Sequence, residues 1–260
     1  RVVASGRTLV THRRIDDPPA RRPVTRWKYR SGHFICVSAA VASVLEGYGV
    51  EPDRLDVVYS AVPVPPVPPA RPPPHSPLRL LALGALVEHK GHDVLLRALA
   101  LSRQPLRLRI AGAGPQRDSL EALCRRLHLA PCVEFLGDRG DGSELFGATD
   151  LFVHPSRTEG LGTAVLDAMA AACPVLVSRA GGLPELLEGD APGWSFAPGE
   201  PEALAAQLDA VATLARTEPD VLLRRGSAGW RRAHGQHGIS EMVRGVQEVY
   251  DRLQQGEEVA

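Results

Sequence analysis

The sequence predicts an α/β protein whose larger part is a doubly wound parallel sheet. Three observations carry this. From residue 78 onward short apolar runs alternate with helical stretches, glycines stand directly after several of those runs, and a proline-rich segment separates this alternation from a shorter one ahead of it. Strands that alternate with helices of about 10–15 residues imply a parallel sheet covered on both faces.

Residues 1–62 open with a short apolar stretch (Val2, Val3, then Thr8 to Val10) and a basic polar loop. A buried strand at Phe34–Val37 follows, then a helix from Ala39 to Tyr48 capped by Ser38 and closed by Gly49, then a strand at Asp56–Tyr59. This is the tail of an alternating unit. Residues 63–77 are dominated by proline, which joins neither a central strand nor a helix interior, and they read as a semi-rigid linker at a domain boundary. A polyproline docking ligand is the alternative reading of that segment. A second domain spans 78–238. Its expected elements are strand Leu78–Leu83, helix Gly91–Leu101, strand Leu106–Ala111, helix Pro115–His128, strand Val133–Leu136, a short helix at Ser143–Phe146, a strand at 151–153, a helix at 163–172 and strand Val175–Val177. Helical stretches near 201–215 and 218–234 complete it, and residues 239–260 form a last amphipathic helix with Met242, Val243, Val246, Val249, Tyr250 and Leu253 at helical spacing.

Composition narrows the function classes. With 30 basic and 30 acidic residues the formal net charge is zero, which argues against a broad nucleic-acid surface. The basic residues are almost all arginine, with Lys28 and Lys90 as the lysines. Cys36, Cys124, Cys132 and Cys173 have neither zinc-ligand spacing nor a compact disulfide pattern, so reduced core thiols in a cytoplasmic protein are expected. No run of about 18 apolar residues or signal-peptide pattern is present, leaving at most peripheral membrane contact. No histidine pair has metal spacing; His154 stands at a strand end facing the expected cleft, while His75, His128, His234 and His237 read as surface or loop residues.

Chemistry concentrates after the strand at 151–153, where Glu159-Gly160-Leu161-Gly162-Thr163 turns into an alanine-rich helix. Strand, glycine turn and helix form an anion site, because the amides at the helix start point outward with the positive end of the helix dipole. Glu159 beside such a site suits hydrogen bonds from sugar hydroxyls better than an anion. Asp167 lies eight residues on, about two turns along and roughly 80° round the helix, so both acids can border one pocket. The same stretch also reads as a strand, a turn and a core helix with two solvated acids. Three other strand ends offer backbone to a ligand: Gly84, with Lys90 where the next helix begins; Gly112 and Gly114; and Gly137. The third glycine of a dinucleotide fingerprint is absent.

The order of these pieces resembles the retaining glycosyltransferases of family 4, with the GT-B fold of two facing Rossmann-like domains. Residues 33–63 look like that family's passage from acceptor domain to linker, and 79–200 like its nucleotide-sugar domain. The resemblance implies that Glu159 contacts donor sugar hydroxyls, Asp167 the ribose, Lys90 the diphosphate, and the amides of Leu161, Gly162 and Thr163 the distal phosphate or sugar. His12 resembles an acceptor-side histidine. Two departures stand out: Ala85 replaces the family's usual arginine in the first donor loop, and Asp167 is one methylene shorter than the usual glutamate.

Together these imply a metal-independent retaining transferase with no cofactor beyond its nucleoside-diphosphate-sugar donor, acting on a glycan, lipid or small-molecule acceptor. The alternatives are a nucleotide-sugar-binding subunit that has lost turnover and, more remotely, a Rossmann oxidoreductase. Because only about 60 residues precede the linker, the expectation is a reading frame extending roughly 100 residues upstream of Arg1. A strand at 34–37 without neighbours, a helix at 39–48 with uncovered apolar surface, and a chain that binds nucleotide but transfers nothing belong to that expectation.

Overall fold

The computed structural model describes residues 9–16, 29, 32–139, 143–190 and 192–257. Before the linker, β1 (Val10–Arg13), β2 (His33–Cys36) and β3 (Leu55–Val57) form a three-stranded parallel sheet in the order β1-β2-β3. The expected strand at 34–37 therefore has a neighbour on each side. Every residue of β2 is buried, and so are Val41 and Leu45 of the following helix, α1 (Ala39–Tyr48). The anticipated bare apolar face is not found there, because β1 forms from Val10–Arg13, a segment the sequence assigned mostly to a polar loop. The first apolar positions, Val2, Val3 and Thr8, and Lys28 lie outside the described residues.

After the linker, β4 (Leu78–Leu83), β5 (Leu106–Ala111), β6 (Val133–Gly137), β7 (Leu151–His154), β8 (Val175–Ser178) and β9 (Gly193–Phe196) form an all-parallel sheet in the order β6-β5-β4-β7-β8-β9. The chain winds outward from β4 to β6, then returns to lay β7 on the other side of β4. The crevice between β4 and β7 is thus the point where strand order reverses, and ligands of open α/β sheets bind there. The sheet's burial follows its pleat: Leu80, Val153 and Leu176 pack into one core with Val94, Leu95 and Leu204, while their neighbours Leu81, Phe152, Val175 and Val177 pack into a second core with Val165, Leu166 and Met169. Helices cover both faces at β7 and β8, where every residue is buried, whereas toward the edge Arg107 and Arg109 of β5 are exposed.

These helices are α2 (His92–Leu101), α3 (Arg117–Arg126), α4 (Ser143–Gly147), α5 (Thr163–Ala170), α6 (Pro201–Thr217), α7 (Pro219–Gln236) and α8 (Ile239–Glu257). α3 and α5 end two residues earlier than expected. His128 (φ 57°) and Ala172 (φ 51°) leave the helical region just past their ends, and neither is a glycine that would mark the stop in the sequence. β9 was not anticipated at all.

The proline segment is tied down. Arg71 donates to the Phe146 carbonyl at 3.0 Å, Trp230 donates to the Pro65 carbonyl at 3.0 Å, and buried Asp150 accepts from the Arg79 amide at 2.8 Å and pairs with His75 at 3.0 Å. α8 returns to the first sheet, where Tyr250 reaches His12 and Arg252 pairs with Asp56. His237, expected at the surface, is 2% exposed: the chain turns there between α7 and α8, its carbonyl accepts from Val62, and its ring packs edge-on against Tyr59. All four cysteines are free, and burial pushes the Cys36 and Cys173 thiols up to about 11. Among the described residues no helix is long and apolar enough to cross a membrane.

Candidate functional site

At the crevice the loops after β4 and β7 are locked together. Gly91 closes a short 3-10 turn (Glu88–Lys90) in the left-handed conformation, with no room for a side chain against the Pro155 carbonyl. Arg157 clamps the loops: its amide donates to the His89 carbonyl at 2.7 Å, and its guanidinium makes two 2.8 Å bonds to Asp93 in the first turn of α2. That clamp presents Lys90 to Glu159.

Lys90 Nζ lies 2.5 Å from Glu159 Oε2, which also receives His154 Nε2 at 2.8 Å and the Ser156 hydroxyl at 3.2 Å. Burial alone would raise the Glu159 pKa; the hydrogen bond and charge of His154 and the charge of Lys90 outweigh it and hold the carboxyl down at about 2. His154 is itself 3% exposed, and burial pushes its pKa down against the opposing pull of Glu159. Ser156 Oγ lies 3.0 Å from the same His154 Nε2. Serine and acid thus share one imidazole nitrogen, whereas a nucleophilic triad needs the acid on the other. Among the described residues all the hydrogen bonds of the Glu159 carboxylate fall on Oε2, leaving Oε1 to accept from a ligand.

Beyond Glu159, Gly162 enters α5 in the left-handed conformation (φ 93°). Among the described residues the amides of Leu161, Gly162 and Thr163 donate to no partner, so the helix start retains its anion-binding potential. Asp167 stands on the outward face of α5 with no cation or donor on its carboxylate among the described residues, and the protein around it pushes its pKa up by desolvation.

Beside Lys90 a cavity of about 320 Å³ opens over the ends of β4, β5 and β6, lined by Leu83, Gly84, Ala85, Ala111, Gly112, Ala113, Asp138 and Arg139. The glycines make it possible. A Cβ on Gly112 (φ 144°) would run into the Gly84 carbonyl, and one on Gly84 would reach the Lys90 side chain at 3.9 Å. Gly114 instead packs against the Leu86 backbone, and Gly137 ends β6 with its carbonyl accepting from Gly112; neither lines the cavity.

The structure therefore gathers Gly84, Lys90, Gly112, Glu159, Gly160, Leu161, Gly162, Thr163 and Asp167 at one end of the sheet. His12 is not joined to this group by any hydrogen bond among the described residues; its partner is Tyr250 Oη at 3.4 Å. Sequence reasoning missed Ser156, Arg157 and Asp16, whose Oδ2 accepts the Glu159 amide at 2.9 Å. A polar residue at every second position of His154-Pro155-Ser156 just past a strand was the available signal for Ser156.

The family profile described as glycosyl transferases group 1 matches residues 68–220. The chain is similar to an uncharacterized glycosyltransferase of Methanocaldococcus jannaschii, 40% identical over 136 residues covering 51% of this chain and 35% of that protein. It is similar as well to the amylovoran biosynthesis glycosyltransferase AmsK of Erwinia amylovora, 32% identical over 159 residues covering 57% and 38%. The chain thus spans well under half the length of these curated relatives. Among solved structures, Anabaena HepE in complex with UDP and glucose aligns with a TM-score of 0.77 at 22% identity, over 96% of this chain and 72% of that one. A glycosyltransferase from Rickettsia africae gives 0.78 at 20% identity, over 94% and 70%. These likenesses carry the fold, GT-B with Rossmann-like parallel sheets, and the profile carries the family: the chain belongs to the group 1 glycosyl transferases.

Proposed function

We propose that this chain bears the donor site of a retaining, metal-independent glycosyltransferase of family 4, which takes a sugar from a nucleoside-diphosphate sugar to a glycan, glycolipid or small-molecule acceptor. One observation supports this above the others. A lysine, Lys90, the Glu159 carboxylate it pairs with, and the amides at the start of α5, unpartnered among the described residues, converge beside a cavity lined by Gly84, Ala85, Gly112 and Ala113 together with Asp138 and Arg139. In this reading the nucleoside occupies the cavity, Asp167 takes the ribose, and Lys90 leaves Glu159 for the diphosphate. Glu159 Oε1 accepts hydroxyl hydrogen bonds from the sugar. Lys90 and the helix-start amides then stabilise the negative charge that grows on the departing diphosphate. UDP in the HepE structures is consistent with such a cavity.

The second reading, a nucleotide-sugar-binding subunit without turnover, is favoured by Ala85, which leaves Lys90 without a second cation in the first donor loop, and by Glu159, which already balances the Lys90 charge. A thermal-shift screen of UDP-, GDP- and ADP-sugars tests donor binding, because a ligand that binds only the folded state raises its stability. Release of free nucleoside diphosphate from the stabilising donor separates transferase from binding subunit. No stabilisation by any nucleotide sugar would overturn both.

A further inference from the structure

The Glu159–Gly160 peptide is held from two sides. Its carboxylate is gripped by the second sheet's own residues, Lys90, His154 and Ser156, but its backbone is gripped by the first sheet. Asp16, just past β1, accepts the Glu159 amide at 2.9 Å, and Ser38, just past β2, donates to the Gly160 carbonyl at 2.6 Å. The Glu159 carbonyl in turn accepts from the Gly182 amide at 3.1 Å. Nothing but glycine fits at this seam: a Cβ on Gly160 would run into the Arg14 carbonyl, and one on Gly182 would stand 2.8 Å from Ser38 Cβ. The carbonyl–hydroxyl contact is buried, spans 122 residues of sequence and leaves the loop no slack.

We propose that Asp16 and Ser38 are positioning residues that set the direction of the Glu159 carboxylate, so that recognition of the donor sugar depends on the first sheet being seated against the second. This rests on the reading of Glu159 as the sugar-facing acid. With both backbone grips in place, the side chain leaves the loop in the direction that brings Oε2 to Lys90 and His154. Released from the first sheet, the backbone on either side of this peptide keeps only the Gly182 bond to the Glu159 carbonyl, and the direction of the carboxylate is no longer fixed. The cavity glycines Gly84 and Gly112 belong wholly to the second sheet and stay as they are.

The test uses the full chain and its Asp16→Ala, Ser38→Ala and Asp16→Asn variants, the last keeping an oxygen that can accept the Glu159 amide. Affinities for UDP, UDP-glucose, GDP and GDP-mannose are measured by calorimetry, and the Glu159 carboxyl is titrated by carbon NMR without ligand. Asp16→Ala and Ser38→Ala should lose about tenfold in affinity for the nucleotide sugar while keeping the affinity for the nucleoside diphosphate. Their Glu159 midpoint should rise by about one pH unit, equivalent to a tenfold change in equilibrium, with Asp16→Asn close to the parent in both assays. Equal losses for nucleotide and nucleotide sugar, or an unmoved Glu159 midpoint, would overturn the proposal. Should the parent bind no nucleotide sugar at all, the donor reading falls, and the Glu159 midpoint still decides whether Asp16 and Ser38 position the acid.

Discussion

Lys90 Nζ sits 2.5 Å from Glu159 Oε2, so the lysine expected to meet a diphosphate is already neutralised by the acid expected to meet the sugar. On the proposed reading, ligand binding at this site is an exchange of partners. The pair is about four-fifths buried, and a dianion has to draw the ammonium away from a carboxylate that His154 and Ser156 continue to hold.

That competition separates the two residues experimentally. Lys90→Ala removes the cation and should weaken nucleoside-diphosphate binding by roughly 1.5–3 kcal/mol, the worth of a charge-assisted hydrogen bond. Glu159→Gln removes the competing charge, so nucleoside-diphosphate affinity should match or exceed that of the parent while the added affinity for the sugar is lost. Calorimetry on both variants decides; equal losses for both ligands in both would refute the exchange.

Asp167 should show stability and function moving in opposite directions. Its carboxyl is pushed up by desolvation with no partner to compensate, so the charged form is disfavoured in the folded chain. Asp167→Ala should leave the melting temperature unchanged or slightly higher at pH 7 and yet weaken nucleoside-diphosphate binding through loss of the ribose contact. A melting temperature that drops together with affinity would assign Asp167 to the scaffold instead.

Much of this was legible from local pattern. Gly84, Gly112 and Glu159-Gly160-Leu161-Gly162 each follow an apolar run, and a parallel sheet brings all strand ends of one polarity to one edge. β9 escaped because Gly193-Trp194-Ser195-Phe196 is four residues long, lies between Pro192 and Pro198, and carries a central tryptophan and serine that are only half-buried. The cluster chemistry escaped for another reason. Lys90 and Glu159 are 69 residues apart and Asp16 and Glu159 are 143 apart, so which cation meets which acid is decided by loop packing between β4 and β7 and by the seating of the first sheet. Periodicity carries no such information. His237 was misplaced because a polar helix end looks the same in sequence whether solvent or the linker covers it.

Glu185 should prove a stability residue at the seam between the sheets. Its two carboxylate oxygens accept from Ala39 and Ala40 at 2.9 Å each, occupying the start of α1, where free amides and the helix dipole favour a negative charge. Glu185→Ala strands those amides and should cost about 2–3 kcal/mol in urea unfolding, given that hydrogen bonds to a charged group are worth about 1.5–3 kcal/mol and one of this pair is solvent-exposed. Glu185→Gln keeps an acceptor oxygen and should recover part of the loss. An alanine variant as stable as the parent would remove Glu185 from this role.

Acid should weaken the fold in two separable steps. Burial lowers the His92 and His237 pKa values from 6.5 to about 4, and lowers that of His154 as well. For His92 and His237 the unfolded chain binds more protons than the folded one between pH 6.5 and 4, so their contribution is complete above pH 6.5 and is lost as pH falls through that window, and His154 acts in the same direction. Each of the first two shifts corresponds to roughly 3 kcal/mol at about 1.4 kcal/mol per unit. Glu159, held at about 2 against an ordinary 4.5, adds a second loss as pH falls from 4.5 toward 2; Asp167, with its raised pKa, offsets a small part of it. Urea unfolding between pH 7.5 and 4.5 should therefore show stability dropping steeply, with most of that range lying above the ordinary glutamate value of 4.5. His237→Phe keeps an aromatic ring against Tyr59 and removes one titrating group, so its profile over the same range should be shallower by about one histidine's share. A parent whose stability is level from pH 7.5 to 4.5 would mean that these rings are solvated or paired in solution, and that the turn between α7 and α8 is not closed around His237.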